Sequence, residues 1–392
     1  MENFDFYNPT RIIFGKNTHL EIGNLLKPHA KKVLLHYGGQ SVKKSGVFDQ
    51  VVASLRNAGV DFVELDGVVP NPRVTLVREG IQLCKENKVD LILAVGGGSV
   101  IDSAKAISMG IFYEGDVWDI YAKHLPVSKN IPVATILTIP AAGSESSPSS
   151  VISNDEVKLK KGYTNNITRP LLSVINPELF FSLPKNQIAN GVSDMMSHIF
   201  ERYFTRTLHT DLTDALCEAT LRTIMRNALI LMNDPANYDA WCEVGFSGNV
   251  AHNDMLGLGR AQDWACHGME HELSALYDVA HGAGLAVLTP AWMKYVYKEN
   301  MNMFVQFAVN VMGVNASFRD PEYIVTEGIR LLSEFYRKLG LPQTLGELFI
   351  GNDQLELMAK KATGEISGNE HKLGGMKRLG WQDVLAIYKM AL

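Results

Sequence analysis

Asp194 and His198 stand four residues apart in GVSDMMSHIFE, and His267 and His271 repeat that spacing in CHGMEHELS. One turn of helix puts such pairs on a common face. Either each pair is a local polar contact, or together they supply a metal site. Imidazole nitrogens and a carboxylate oxygen are ligands that Fe²⁺ and Zn²⁺ both accept. His281 follows directly ahead of GAGLA, where glycines mark a turn or a close approach, and brings the set to one carboxylate and three or four imidazoles. HGMEHE is not HExxH, because Gly268 stands where that motif needs glutamate, so a zincin protease gains no support. From these residues alone a metal remains one of two readings.

Three turns offer a second kind of chemistry. AVGGGSVIDSAK at 94–105 follows an apolar strand pattern and opens a helical one. Gly96, Gly97 and Gly98 let the backbone approach a ligand, and the helix amides beyond them can face anionic oxygens. Ser99 can cap that helix or donate to a phosphate, and Asp102 lies in its first turn. The same glycines would equally serve a plain tight turn. The earlier strand ends in YGGQSVKKSG, where Gly38, Gly39 and Ser41 could line the adenosine end of a dinucleotide. Lys43 or Lys44 could neutralise an added phosphate there. No acid stands directly at that strand end to hold both ribose hydroxyls, which tilts the expectation toward NADP(H) over NAD(H). TIPAAGSESSPSSV at 138–151 offers Thr138 and Ser144 to a nicotinamide ribose or pyrophosphate, with local side-chain-to-backbone bonds as the alternative.

The elements that must position these groups alternate in the first half. Strand patterns at 31–39, 89–99 and 131–142 are separated by helical patterns at 47–59 and 72–88, which predicts βαβ crossovers and a mainly parallel sheet. Beyond residue 185 the periodicity is helical. The expectation is an α/β domain over 1–185, completed at 157–184 by edge hairpins and strands, then an all-helical domain over 186–392. With 46% apolar and 20% charged residues the chain reads as globular, and a net charge of -5 gives no footprint for nucleic acid. No apolar run is long enough for a membrane span, and the first residues lack a signal-peptide pattern. Four scattered cysteines without CxxC spacing suit free thiols in the cytoplasm.

Taken together, GGGSVIDSAK, TIPAAGSE, DMMSH and CHGMEHELSALYDVAHGAGLA resemble the iron-containing (group III) alcohol dehydrogenases. The likeness is greatest to the butanol dehydrogenase and broad-specificity aldehyde reductase branch. NFDFYNPTRIIFG at the start and PNP at 70–72 share it, so it covers essentially the whole chain. It implies the dehydroquinate synthase-like, iron-type alcohol dehydrogenase fold, with a nucleotide-binding α/β domain, a helical domain and the active site between them. Carried onto this sequence, Asp194, His198, His267 and His281 would bind one divalent metal, Fe²⁺ or Zn²⁺. His271 would lie near the nicotinamide as a candidate proton relay. Gly38, Gly39, Ser41, Gly96 to Ser99, Asp102, Thr138, Ser144 and Lys160 match cofactor positions. The implied reaction is NAD(P)H-dependent interconversion of primary aliphatic alcohols, such as butanol, and their aldehydes, by a homodimer. Ala142 departs from the threonine usual in relatives, which removes one hydroxyl from the pyrophosphate loop. The rival is a polyol dehydrogenase or dehydroquinate-synthase-like lyase on the same architecture. Asn249, Asn253 and Asp254 could serve its hydroxylated substrate, whereas Phe246, Met255, Leu256 and Trp264 suit an aliphatic one.

Overall fold

The apolar runs of the first half become one parallel sheet. This computed structural model describes residues 1–392. Its strands are β1 (Arg11–Phe14), β2 (Lys32–Tyr37), β3 (Asp61–Leu65), β4 (Leu91–Gly97) and β5 (Val133–Ile139), then β6 (Ser149–Asn154), β7 (Leu159–Thr164) and β8 (Leu172–Ile175). Six of them lie in the order β1-β8-β5-β4-β2-β3 with every neighbour parallel, and β6 and β7 form a separate antiparallel pair. Helices α1 (Ile22–Leu26), α2 (Ser41–Lys44), α3 (Val47–Ala58), α4 (Val74–Asn87), α5 (Gly98–Gly110) and α6 (Val117–Lys123) fall between strands.

β4 is buried at every position and β2 from Val33 onward, as required of strands covered on both faces. α3 contributes Val47, Val51, Val52, Leu55 and Ala58 at helical spacing, and stops at Gly59 in the left-handed region. These side chains join Val33, Leu35, Leu91, Leu93, Val95 and Ile136 in one core. The chain runs from β2 outward to β3, then crosses back past β2 to β4. That reversal makes the carboxyl ends of β2 and β4 a topological switch point, the place where open α/β sheets take ligands.

His36 on β2 is fully buried, with Nδ1 at 2.9 Å from the Leu65 carbonyl and Nε2 at 2.9 Å from the Ser103 hydroxyl. Burial pushes its pKa down from 6.5 to about 4, against the smaller pull of the Leu65 carbonyl. The folded state therefore favours the neutral ring. That contribution is complete above pH 6.5 and is lost as pH falls through the folded value. The difference corresponds to about 3 kcal/mol once pH is below both values. His36→Gln should unfold more readily than the native chain at neutral pH, and thermal melts should show that gap narrowing steadily between neutrality and pH 4.

The second half is largely helical: α7 (Lys185–Tyr203), α8 (Asp211–Asn233), α9 (Tyr238–His252), α10 (Ala265–Tyr277), α11 (His281–Val296), α12 (Met301–Asn310), α13 (Pro321–Lys338), α14 (Leu355–Ala362) and α15 (Trp381–Met390). α7 is buried continuously from Gly191 to Tyr203, so its polar residues lie inside a core rather than on a wet face. Two compact units result. One is Tyr7–Leu183 with Pro235–Asn249, and the other is Met1–Phe6, Pro184–Asp234 and Val250–Leu392. They differ from a single cut near 185 in two places, each with a packing reason. Trp241 of α9 stacks edge-on against Phe180 with centroids 5.3 Å apart, which ties that helix to the sheet-bearing unit. The Glu2 amide donates to the Gly259 carbonyl at 2.8 Å, which ties the first residues to the helical unit. No helix is long and apolar enough to cross a membrane.

Candidate active site

In the helical unit, Asp194 and His198 lie one turn apart on α7, His267 lies on α10, and His281 is the first residue of α11. Asp194 Oδ1 stands 3.9 Å from His267 Nε2 and 3.8 Å from His281 Nε2. The ligand-capable atoms of these three residues all fall within 4.8 Å of one another. Asp194 Oδ1 and His267 Nε2 are buried and have no hydrogen-bond partner. A buried polar atom left without a partner costs about 1–3 kcal/mol, so two facing each other mark a position meant for a third group. A divalent cation fits that donor set and satisfies both at once.

His198 stands beside the trio but is turned. Its Nδ1 lies 3.0 Å from the Asp194 carbonyl and 3.2 Å from Asp194 Oδ1, and its ring centroid is 4.6 Å from that of His267. Three of the four expected ligands thus converge on one point, with the fourth adjacent. Burial first, then the neighbours His267, Arg202 and His281, hold His198 well below the usual histidine range. Burial also pulls His267 down, but Asp194 and Glu201 outweigh it and raise it to about 9. The surroundings of His267 favour positive charge. His271 lies outside the trio, with its ring 6.0 Å from that of His281.

In the sheet-bearing unit the expected coenzyme turns gather at one edge. Gly38, Gly39 and Ser41 follow β2, Gly96 and Gly97 end β4, Gly98 and Ser99 open α5, and Thr138 lies near the end of β5. β2, β4 and β5 are consecutive in the sheet, so their carboxyl ends lie side by side. The glycines also have a packing role. A Cβ on Gly97 would lie 2.9 Å from Ile139 Cβ, and one on Gly98 would lie 2.9 Å from Ala142 Cβ. Close packing alone therefore requires glycine here, which is the tight-turn reading.

Asp102 and Ser144 are joined to each other. The Ser144 hydroxyl donates to Asp102 Oδ1 at 2.5 Å, and the Val151 amide donates to Oδ2 at 2.9 Å. Burial raises the Asp102 pKa, opposed by Lys105, Ser144, Val151 and Lys160. Lys160 is itself buried on β7. Lys105, one turn beyond Asp102 on α5, is the residue the sequence pattern did not single out. It is fully buried, and its Nζ donates to the carbonyls of Ser144, Ser147 and Ser149 at 2.7, 2.8 and 2.8 Å. α5 thereby grips the hydroxyl-rich loop with an acid and a base at i,i+3 spacing, a signal that was readable in DSAK.

Two family models cover the chain. Residues 9–177 match "Iron-containing alcohol dehydrogenase", and residues 188–392 match "Fe-containing alcohol dehydrogenase family, C-terminal". The chain belongs to this family. It is 42% identical over 390 residues to NADH-dependent butanol dehydrogenase A of Clostridium acetobutylicum, with 99% of each chain covered. It is 33% identical to the NADPH-dependent aldehyde reductase of Escherichia coli, covering 97% of this chain and 95% of the relative. The crystal structure of NADH-dependent butanol dehydrogenase A from Thermotoga maritima superposes with a TM-score of 0.96 at 40% identity, covering 100% of this chain and 99% of that one. The architecture of an α/β nucleotide-binding half followed by a largely helical half is that of the family.

Proposed function

We propose that the protein, an NAD(P)-dependent alcohol dehydrogenase, interconverts primary aliphatic alcohols such as butanol and their aldehydes. One divalent ion, Fe²⁺ or Zn²⁺, would be held by Asp194, His198, His267 and His281. The observation that carries this reading is the facing pair of buried, unpartnered atoms, Asp194 Oδ1 and His267 Nε2. When bound, the ion supplies Lewis-acid polarisation of the substrate oxygen, and NAD(P)H supplies hydride.

The chain's own residues do the rest. Asp194 brings negative charge, while His267 and His281 present Nε2. His271 is the proposed group that holds the proton exchanged with the alcohol oxygen, since an imidazole can both accept and donate a proton. The Trp264 ring, 5.2 Å from that of His267, lines the site with apolar surface. An aliphatic substrate is favoured over a polyol by what the polar candidates already do. Asn249 donates to Glu145 Oε1 at 3.0 Å, Asn253 accepts from the Met255 amide at 3.0 Å, and Asp254 meets Arg202 at 3.4 Å.

For the coenzyme, Gly38, Gly39 and Ser41 would take the adenosine side, Gly96 to Ser99 the pyrophosphate, and Thr138, Ser144 and Lys160 the nicotinamide side. Asp102 would act through Ser144. NADP(H) is the proposed preference, supported by Lys43 and Lys44 on α2 just past β2. Lys43 Nζ stands 4.9 Å over the Phe48 ring. Two of the relatives above are named for NADH and one for NADPH, so the measured ratio decides. Charge reversal, Lys43→Glu with Lys44→Glu, should raise the KM for NADPH at least about tenfold and leave NADH little changed. An unaltered ratio of the two contradicts the preference. A cytoplasmic homodimer completes the proposal, and four free cysteines support the reducing compartment.

The test is butyraldehyde reduction with NADPH and NADH, after chelation and after adding back Fe²⁺ or Zn²⁺. Loss on chelation and recovery on addition is the expected result. No turnover in any combination, with metal bound, would move the polyol or lyase reading ahead.

A further inference from the structure

We infer that Glu201 and Glu270 are the positioning residues of the ligand set, each holding one imidazole by Nδ1 so that Nε2 faces Asp194. The inference rests on the metal reading above. Glu201 is 2% exposed and sits on α7, the helix of Asp194 and His198. Its Oε1 accepts from the His267 backbone amide and lies equally close, at 3.0 Å, to His267 Nδ1. Glu270 is fully buried on α10, one turn beyond His267. One of its carboxylate oxygens meets His281 Nδ1, and the other accepts from the Ser274 hydroxyl. Carboxylates thus link the three ligand-bearing helices in series, α7 to α10 through Glu201 and α10 to α11 through Glu270.

The chemistry follows from the tautomer. A ring whose Nδ1–H is donated to a carboxylate carries its lone pair on Nε2, and Nε2 is the nitrogen that faces Asp194 Oδ1 in both histidines. The same bond fixes the plane of the ring and raises its basicity. Space has been kept for this arrangement. A Cβ on Gly284 would stand 2.9 Å from Glu270 Cγ and 3.2 Å from Glu270 Oε1. Asp194, Glu201 and Glu270 also bring three carboxylates into one buried region, which a divalent cation offsets.

The experiment measures Zn²⁺ affinity of the full-length protein by competition with a chromophoric chelator, alongside the ligand-field spectrum of the Co²⁺-loaded form. Glu201→Leu and Glu270→Leu should each weaken Zn²⁺ binding about 10- to 100-fold and shift the Co²⁺ bands. Glu201→Gln and Glu270→Gln, which can still accept from Nδ1, should recover part of the affinity. If the leucine variants do not fold, Glu201→Asp and Glu270→Asp decide, since they keep the charge and withdraw it from the ring. Affinity and spectrum unchanged in folded leucine or aspartate variants overturns the inference while native Zn²⁺ binding stands. A native protein that binds no Zn²⁺, Fe²⁺ or Co²⁺ overturns the metal reading and this inference together.

Discussion

Replacing His267 with alanine is expected to remove most of the bound metal and lower aldehyde reduction by at least about a thousandfold, or about 4 kcal/mol of transition-state stabilisation. His267 supplies one of the two unpartnered atoms, and it is the ring that Glu201 holds in place. Without it, Asp194 Oδ1 faces a cavity, and His281 Nε2 is the remaining member of the trio. Stability should change less than activity. The lost contacts are one carboxylate–imidazole bond and ring packing, and the His267 amide still donates to Glu201. Metal analysis, steady-state rates and a thermal melt on the same preparation separate these effects. A variant that keeps its metal and its full rate contradicts the assignment.

The second large effect concerns a residue that does no chemistry. His281 opens α11, and Gly282 follows it where α11 meets α7. A Cβ on Gly282 would lie 2.6 Å from the carbonyl carbon of Asn190 and 2.8 Å from its Cα. Both are backbone atoms, so no rotamer change relieves the overlap, and the two helices must move apart. Gly282→Ala should therefore cost about 3 kcal/mol or more. It should also impair metal binding, because α7 carries Asp194 and α11 carries His281. Urea unfolding together with metal content reads both consequences. Native stability with native metal content would show that the α7–α11 approach is looser than the structure has it.

Much of this was legible in the chain, and for identifiable reasons. Strands such as Leu91–Gly97 declare themselves because parallel strands buried on both faces must be continuously apolar. Asp194 and His198 were conspicuous because charged and titratable residues on a buried helix need a partner. The glycines of GAGLA carried a signal whose content only the fold supplies: Gly282 clears the α7 backbone and Gly284 clears Glu270. Glu201 escaped notice, and Glu270 stood out only as an acid among the histidines with no role, because a glutamate at helical spacing from a histidine most often faces water. Only their burial reveals the role. His198 shows the opposite limit, since spacing places it on the right face of α7 but does not determine how its ring is turned. The exchange of Met1–Phe6 and Pro235–Asn249 between the units was invisible for a related reason, as it depends on long-range partners such as Phe180 and Gly259.

The central claim is that Asp194, His267 and His281, with His198 beside them, hold one ion on which turnover depends. The most direct measurement titrates chelated protein with Fe²⁺ and, separately, Zn²⁺, recording bound ion per chain and butyraldehyde-dependent coenzyme oxidation at each step. With at least one of the two ions, binding should saturate at one ion per chain and activity should rise in proportion, with neither seen in His267→Ala. Full activity in the chelated protein, or identical binding by His267→Ala, would contradict it.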